Sequence, residues 1–210
     1  MQMRNRAIRA AVVTVAAGAA TLAVVAASGT AQAQPRKAAT GPAFLAPKEL
    51  PPHASSAWSA GAVTAGLPEA PFCVEDTLPK AGSSHRRFWT EYDTGATQIV
   101  VRTKSEAAAK QLAAAAEKKI RNCAADWERK YPEATASWRD YGTLPAEDGA
   151  HVYGVHTESP DSEPGIHLFG VGRDRATVTL VDWGQMGDYR HAPVADFKRT
   201  TTTAVVKLHR

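Results

Sequence analysis

The chain has 210 residues, of which 44% are hydrophobic and 22% are charged, which is ordinary for a globular protein of one or two domains. Three of its 25 basic residues lie within residues 1–33, which contain no acidic residue, and removing this segment leaves 22 basic against 21 acidic residues. The remainder is nearly neutral, so the overall net charge of +4 gives no support for a nucleic-acid-binding function.

The N-terminus has the three parts of a secretory signal peptide. A basic segment ends at Arg9, an Ala- and Val-rich run covers residues 10–27, and an A-x-A cleavage pattern ends at Ala33. We expect general secretion, with residues 1–33 removed near Ala33-Gln34 and no stable membrane insertion afterwards. The alternative is an uncleaved membrane anchor, which the weak hydrophobicity of the run disfavours.

A linker and an arm follow the signal peptide. Residues 34–42 are small and polar and predict a flexible linker. Residues 43–72 are rich in proline and carry scattered apolar side chains, which predicts an arm that wraps a single domain of residues 43–210. Cys73 ends this arm and Cys123 is the other cysteine of the chain. In an oxidising compartment we expect them to form one disulfide, the alternative being two buried thiols.

Two strands and a long helix come next. Residues 87–92 and 97–103 alternate with a period of two around turn residues, which predicts a β-hairpin. Ser105 is typical of a helix N-cap, and apolar residues recur at spacings of three and four as far as Tyr131. Cys123 lies within or beside this apolar stripe, and Pro132 ends the helix.

Three or four strands and a final helix complete the chain. Strand patterns cover residues 136–141, 150–157, 166–172 and 176–183, and an amphipathic helix covers residues 193–208. We predict an α+β fold in the order β-β-α-β-β-β-α. An antiparallel sheet would carry the long central helix and the C-terminal helix on one face, with one disulfide.

The sequence contains few signatures of catalysis or metal binding. Gly170-Val171-Gly172 hints at a phosphate loop, but the strand pattern that follows favours a turn. A zinc site using His151, His156 and His167 with Glu158, Asp161 or Glu163 lacks a tight ligand spacing. There is no G-x-S-x-G motif for a serine hydrolase. We therefore expect no enzyme, no cofactor and no metal.

Aromatic residues on the predicted strands are the best candidates for ligand contacts. Core packing is the default role for tryptophan, but an aromatic side chain that faces away from the helices would line a groove. The candidate ligand-binding residues are Trp138, Arg139, Tyr141, Tyr153, His156, His167 and Trp183.

The order of several segments resembles the PknH-like extracellular sensor domain of actinobacteria. These segments are FLAPKELP, Trp58, PFC, an Ala-rich helix ending in NCAADW, and HLFGVGRDRATVTLVDWG before a terminal amphipathic helix. The resemblance covers residues 43–208 and implies an α+β fold with a groove for an unknown ligand. The kinase form has an additional disulfide, whereas this chain has one cysteine pair, and we expect no kinase domain in it.

The leading functional hypothesis is a secreted, non-enzymatic ligand-binding domain of the sensor type. Its ligand would be a small molecule, a glycan or a cell-envelope component. One alternative is an extracellular protein-interaction or inhibitor module with a surface-protein partner. The other is a cryptic hydrolase that uses His156 or His167.

Overall fold

The structure is a computed structural model that describes residues 42–160 and 162–209. The predicted signal peptide, most of the predicted linker and Asp161 lie outside the described residues. Within the described ranges, no helix combines the length and the hydrophobicity needed to cross a membrane.

The described chain forms an antiparallel sheet of eight strands, in the order β1-β3-β4-β8-β7-β6-β5, with β2 also paired to β3. The strands are β1 (Ser59–Ala60), β2 (Thr64–Ala65), β3 (Ser83–Trp89), β4 (Gly95–Arg102), β5 (Thr135–Leu144), β6 (Ala150–Ser159), β7 (Ser162–Asp174) and β8 (Thr177–Met186). The predicted antiparallel α+β fold is confirmed, with four strands between the helices where the predicted order had three.

The long helix α1 (Glu106–Lys130) begins and ends close to the predicted residues. The Ser105 hydroxyl accepts a hydrogen bond from the Ala108 amide at 3.2 Å, which satisfies one of the free N–H groups of the first turn. Alanines supply much of the buried stripe, so the helix axis lies close to the sheet. The C-terminal helix α2 (Val194–Val206) continues into a short 3₁₀ turn (Lys207–His209).

The two helices lie on opposite faces of the sheet, which corrects the prediction that both cover one face. The α1 side includes Ile99, Val101, Tyr153, Val155, Phe169, Val171, Val178 and Leu180. The α2 side includes Phe88, Ala96, Val152, Ile166, Leu168, Val181, Trp183 and Phe197. Neighbouring residues such as Leu180 and Val181 belong to different cores because successive strand side chains point to opposite faces. The central strands are therefore apolar on both sides.

Two glycines of β7 allow α2 to approach the sheet closely. Gly170 and Gly172 lie within the strand, as the strand pattern over residues 166–172 predicted, and the hairpin turn follows between Asp174 and Thr177. A Cβ atom built on Gly170 would lie 3.0 Å from the Thr201 Cβ of α2, and one on Gly172 would collide with the Val205 side chain of the same helix. Any side chain here would push the helix away, which explains glycine in a strand interior.

The N-terminal arm passes from the α2 side of the sheet to the α1 side. On the α2 side Leu45 is buried, and its amide donates to the Gln98 Oε1 at 2.7 Å. The arm then pairs with β3 through β1 and β2. On the α1 side Cys73 is joined to Cys123 of α1, with their Cα atoms 5.3 Å apart. The predicted disulfide is therefore confirmed, and it attaches the end of the arm to α1.

Strand β5 forms the far edge of the sheet and is interrupted by a β-bulge. The register with β6 shifts between Asp140 and Gly142. Gly142 has a φ of +90°, a conformation that glycine adopts without strain, and its amide donates to the Asp140 Oδ1 at 2.7 Å.

Candidate functional site

The seven predicted ligand-binding residues divide between the two faces of the sheet. Those on the α1 side are Trp138, Tyr153 and His167, and those on the α2 side are Arg139, Tyr141, His156 and Trp183. They cannot form one site, because the sheet separates them. Trp183 is 3% exposed and contributes to the hydrophobic core on the α2 side.

The three histidines considered above for a zinc site do not converge. His156 of β6 lies opposite Ile166, while His167 lies opposite Val155, one residue out of step. Their side chains therefore point to opposite faces. The third member, His151, instead contacts the Asp140 carboxylate at 2.6 Å.

Tyr153 is fully buried beneath α1 and connects the helix to the sheet. Its hydroxyl donates to the Glu117 Oε2 at 3.0 Å and accepts from the Arg121 Nη1 at 3.0 Å. The neighbouring ring of His151 stacks on the Tyr153 ring, with their centroids 4.3 Å apart. Burial, followed by the Glu117 carboxylate, raises the pKa of Tyr153 well above its ordinary value of 10.0. This residue is a structural contact and is not open to a ligand.

The raised pKa predicts a loss of stability at alkaline pH. Because its pKa is raised in the folded state, the Tyr153 hydroxyl makes its full contribution to the free energy of unfolding below the unfolded-state pKa of about 10. This contribution is lost as the pH rises further. We expect Tyr153→Phe to flatten the decrease in the free energy of unfolding above pH 10, measured by urea titration over a pH series. The pKa of Tyr141 is also raised, mainly by burial, so we expect the free energy of unfolding of the variant still to decrease somewhat above pH 10. Equal slopes in the variant and the wild type would contradict the assignment.

On the α2 side, Tyr189 lies at the centre of an aromatic and polar cluster. The Arg139 guanidinium lies 3.7 Å from the Tyr189 ring centroid, and the His156 ring lies 5.6 Å away. A Cβ atom on Gly154 would lie 2.8 Å from the Tyr141 ring, so this glycine makes room for the cluster. The Arg139 and His156 side chains pack on the Tyr189 ring, and Arg139 remains exposed. Sequence reasoning missed Tyr189 because it lies in the connection between β8 and α2.

On the α1 side, a groove crosses the part of the sheet formed by β3, β4 and β8. Arg87, Thr97 and Asp182 lie side by side on these strands. Three depressions, with volumes of 390 to 400 Å³, meet at Arg87. One wall is the arm segment that ends at Phe72.

Two glycines form the floor of this groove in the next row of the sheet. In this row, Trp89 of β3 pairs with Gly95 of β4, and Gly95 pairs with Gly184 of β8. The ring of His167 extends over Gly184, where an added Cβ atom would lie 2.7 Å from the His167 Cε1. The floor is therefore open at Gly95, between the Trp89 indole and the imidazole that covers Gly184.

The His167 ring is held in place by two neighbours. Its Nδ1 lies 2.9 Å from the Asp182 Oδ1, and its ring centroid lies 4.4 Å from that of Phe72. Phe72 also makes an edge contact with Trp127 of α1, at 5.7 Å between centroids. Because Cys73 follows Phe72, the disulfide fixes this wall of the groove.

Arg87 is the one described side chain that lines all three depressions. It is exposed, and among the described residues its guanidinium has no hydrogen-bond partner and no carboxylate within ion-pair distance. An unpaired guanidinium presents several donors in a plane that matches a carboxylate or phosphate group. The groove thus offers a cation at its centre.

The His167–Asp182 pair has the orientation of a catalytic dyad, which bears on the hydrolase alternative. Such chemistry requires a nucleophile hydrogen-bonded to the other ring nitrogen. Within the described residues, no hydroxyl group is hydrogen-bonded to His167, although the Thr97 hydroxyl belongs to the same groove. The groove therefore contains an oriented imidazole and a free guanidinium, which are groups that bind polar ligands.

The groove residues Arg87, Thr97 and Asp182 were not predicted from the sequence. They meet through the pairing of β4 with β8, whose residues are about eighty positions apart in the chain, and local patterns do not reveal such a pairing. An isolated glycine in a strand marks a close approach or a missing side chain. Gly95 and Gly184 lie just outside the predicted strands of residues 97–103 and 176–183, so this signal was not visible in the sequence.

Comparisons with known proteins add little to this geometry. No family model matches the sequence, and no curated protein matches it. Among solved structures, the chain is similar to the crystal structure of the extracellular domain of PknH from Mycobacterium tuberculosis. The identity is 14% and the TM-score is 0.39, over 76% of this chain and 97% of that chain. This is a distant structural similarity only.

Proposed function

We propose that the protein is an exported, non-enzymatic ligand-binding domain of the sensor type, and that it binds its ligand in the groove on the α1 side. The observation that carries this proposal is the exposed, unpaired guanidinium of Arg87 at the junction of three depressions. Export is supported by the signal-peptide pattern and by the disulfide, which persists in oxidising compartments.

The chemistry of the groove fits a glycan or another polyhydroxylated ligand that carries an anionic group. Arg87 would bind the anionic group, and the Asp182 carboxylate would accept hydrogen bonds from hydroxyl groups. Trp89 is 48% exposed beside Arg87 and offers a flat apolar surface for a ring. Gly95, over which no side chain lies, gives the ligand room to approach the sheet, whereas the His167 ring covers Gly184.

The protein-interaction alternative has less support. It would be favoured by an arm whose apolar side chains are exposed, because these would then be available to a partner. In the arm described above, Leu45 and Leu50 are instead buried on the α2 side, while Val63 is 51% exposed.

The proposal is tested first by identifying the ligand. Native mass spectrometry of the protein purified from its own culture medium should show a bound species, and its intact mass should correspond to a chain beginning at Gln34. An array of neutral and uronic-acid-containing oligosaccharides then tests the chemical class. We expect acidic oligosaccharides to be preferred.

Matched arginine variants then locate the site. We expect Arg87→Ala to weaken binding of an acidic oligosaccharide at least tenfold, since a charge-assisted contact is lost, and Trp89→Ala to weaken acidic and neutral ligands alike. Arg139→Ala is the control, because Arg139 is exposed on the opposite face. Unchanged binding in Arg87→Ala, or a loss confined to Arg139→Ala, would exclude this groove as the site.

A further inference from the structure

We propose that Glu147, Asp174 and His209 form a binding site for a divalent transition-metal ion. The site lies at the end of β7 away from His167, so it is separate from the groove. Its three residues come from the β5–β6 loop, the end of β7 and the 3₁₀ turn after α2. Folding therefore brings together one imidazole and two carboxylates that are far apart in the chain.

The distances suit a metal ion. One ligand atom from each of the three residues lies within 4.8 Å of the other two, and the His209 Nδ1 lies 3.3 Å from the Asp174 Oδ2. Ligand atoms bound to zinc at about 2.1 Å in a tetrahedral arrangement are separated by about 3.4 Å. The imidazole and the Asp174 carboxylate already have this spacing, and Glu147 is an exposed side chain free to close the third side.

The local charges also favour a cation. Three acidic residues, Glu147, Asp148 and Asp174, lie near two arginines, Arg173 and Arg175. Asp148 is paired with Arg173, because its Oδ2 accepts from the Arg173 Nη1 at 3.0 Å. The same oxygen also accepts from the uncharged backbone amide of Arg175 at 2.7 Å.

The remaining two carboxylates are poorly compensated. Glu147 has no cationic partner within ion-pair distance among the described residues, and the Arg175 Nε is 4.0 Å from the Asp174 Oδ1. Asp174 is only 8% exposed, and a buried carboxylate is costly unless it is paired or bound to a metal. A divalent ion would supply the missing charge.

The ligand set indicates which metals fit. Imidazole nitrogen suits zinc, iron, copper and nickel, whereas calcium and magnesium prefer sites made of oxygen atoms alone. Three protein ligands leave at least one position for water. Bound metal would tie the C-terminal turn to the ends of the sheet, next to the small core of Ala146, Ala150 and Val205.

The test is titration of the full mature chain, without an affinity tag, with zinc chloride and with calcium chloride in an isothermal calorimeter. We expect one zinc ion per chain, at least tenfold tighter binding of zinc than of calcium, and a zinc-dependent rise in melting temperature. Millimolar or non-saturable zinc binding would overturn the proposal.

Three variants decide whether these residues are the ligands. His209→Ala, Asp174→Asn and Glu147→Gln should each weaken zinc binding at least tenfold. His191→Ala is a matched control: His191 and His209 are both 54% exposed beside an aspartate, but His191 is not part of the cluster. Wild-type affinity in either His209→Ala or Glu147→Gln, or an equal loss in His191→Ala, would also overturn it.

Discussion

Replacing both Cys73 and Cys123 by serine is expected to lower the free energy of unfolding by about 4 kcal/mol. The two residues are 50 positions apart, and in the chain-entropy model this is the effect of releasing a loop of that length in the unfolded state. The loss should be measured by urea denaturation, and the melting temperature should fall with it. A loss of this size is a large part of the stability of a typical domain.

The control for this prediction is the wild-type protein under reducing conditions. Reduction should produce the same loss, whereas it should leave the double serine variant unchanged. Peptide mapping without reduction should link the Cys73 and Cys123 peptides. Two alkylatable thiols in the exported protein, or a difference below about 1 kcal/mol, would contradict the predicted contribution.

Truncating Phe197 to alanine should cost about 3 to 5 kcal/mol. Phe197 is fully buried between α2 and the sheet. Removing its ring leaves a cavity, because the helix and the sheet cannot move together enough to fill the space. The change tests the position of α2 on the second face, because Phe197 would be much less sensitive in a surface helix. Equilibrium unfolding in urea gives the difference directly.

Two variants of α2 separate the cavity from other effects. Phe197→Leu keeps most of the buried volume and should cost clearly less than the alanine variant. Val206→Ala changes a side chain of the same helix that is 43% exposed, and should alter the free energy of unfolding by about 0.5 kcal/mol or less. Similar losses in Phe197→Ala and Val206→Ala would show that α2 is not anchored as described.

Local patterns predicted most of the secondary structure and the disulfide. Ser105, the spacing of apolar residues and Pro132 marked α1 because capping and helical periodicity act over a few residues. The cysteine pair followed from the predicted compartment and from the scarcity of alternatives. Such features need no knowledge of distant contacts.

The layer arrangement could not be obtained in the same way. An amphipathic helix requires an apolar face of the sheet, but it does not specify which one. In β8, Leu180 and Val181 point to opposite sides and are both buried, so the run of apolar residues was the signal of a sheet covered on both faces. The glycines at 170 and 172 were a second signal, since they lie where α2 approaches.

The candidate site was the least predictable part. The candidate ligand-binding residues were chosen by residue type from the predicted strands. The face of the sheet on which each side chain lies depends on the exact register, and a shift of one residue exchanges the two faces. Trp183 therefore lies in the hydrophobic core on the α2 side, and His167 lies in the groove on the α1 side. Arg87 and Asp182 became neighbours through a long-range strand pairing that left no local pattern.

The β-bulge of β5 has a consequence for how the molecule behaves at high concentration. A ten-residue edge strand presents unpaired backbone groups, on which a second molecule can add a strand and begin aggregation. Here the bulge between Asp140 and Gly142 interrupts the row of unpaired backbone groups along β5. Arg139 and Asp140 also place charged side chains on this edge strand. At the other edge, β1 and β2 cover parts of β3. Both edges are thus protected against uncontrolled growth of the sheet.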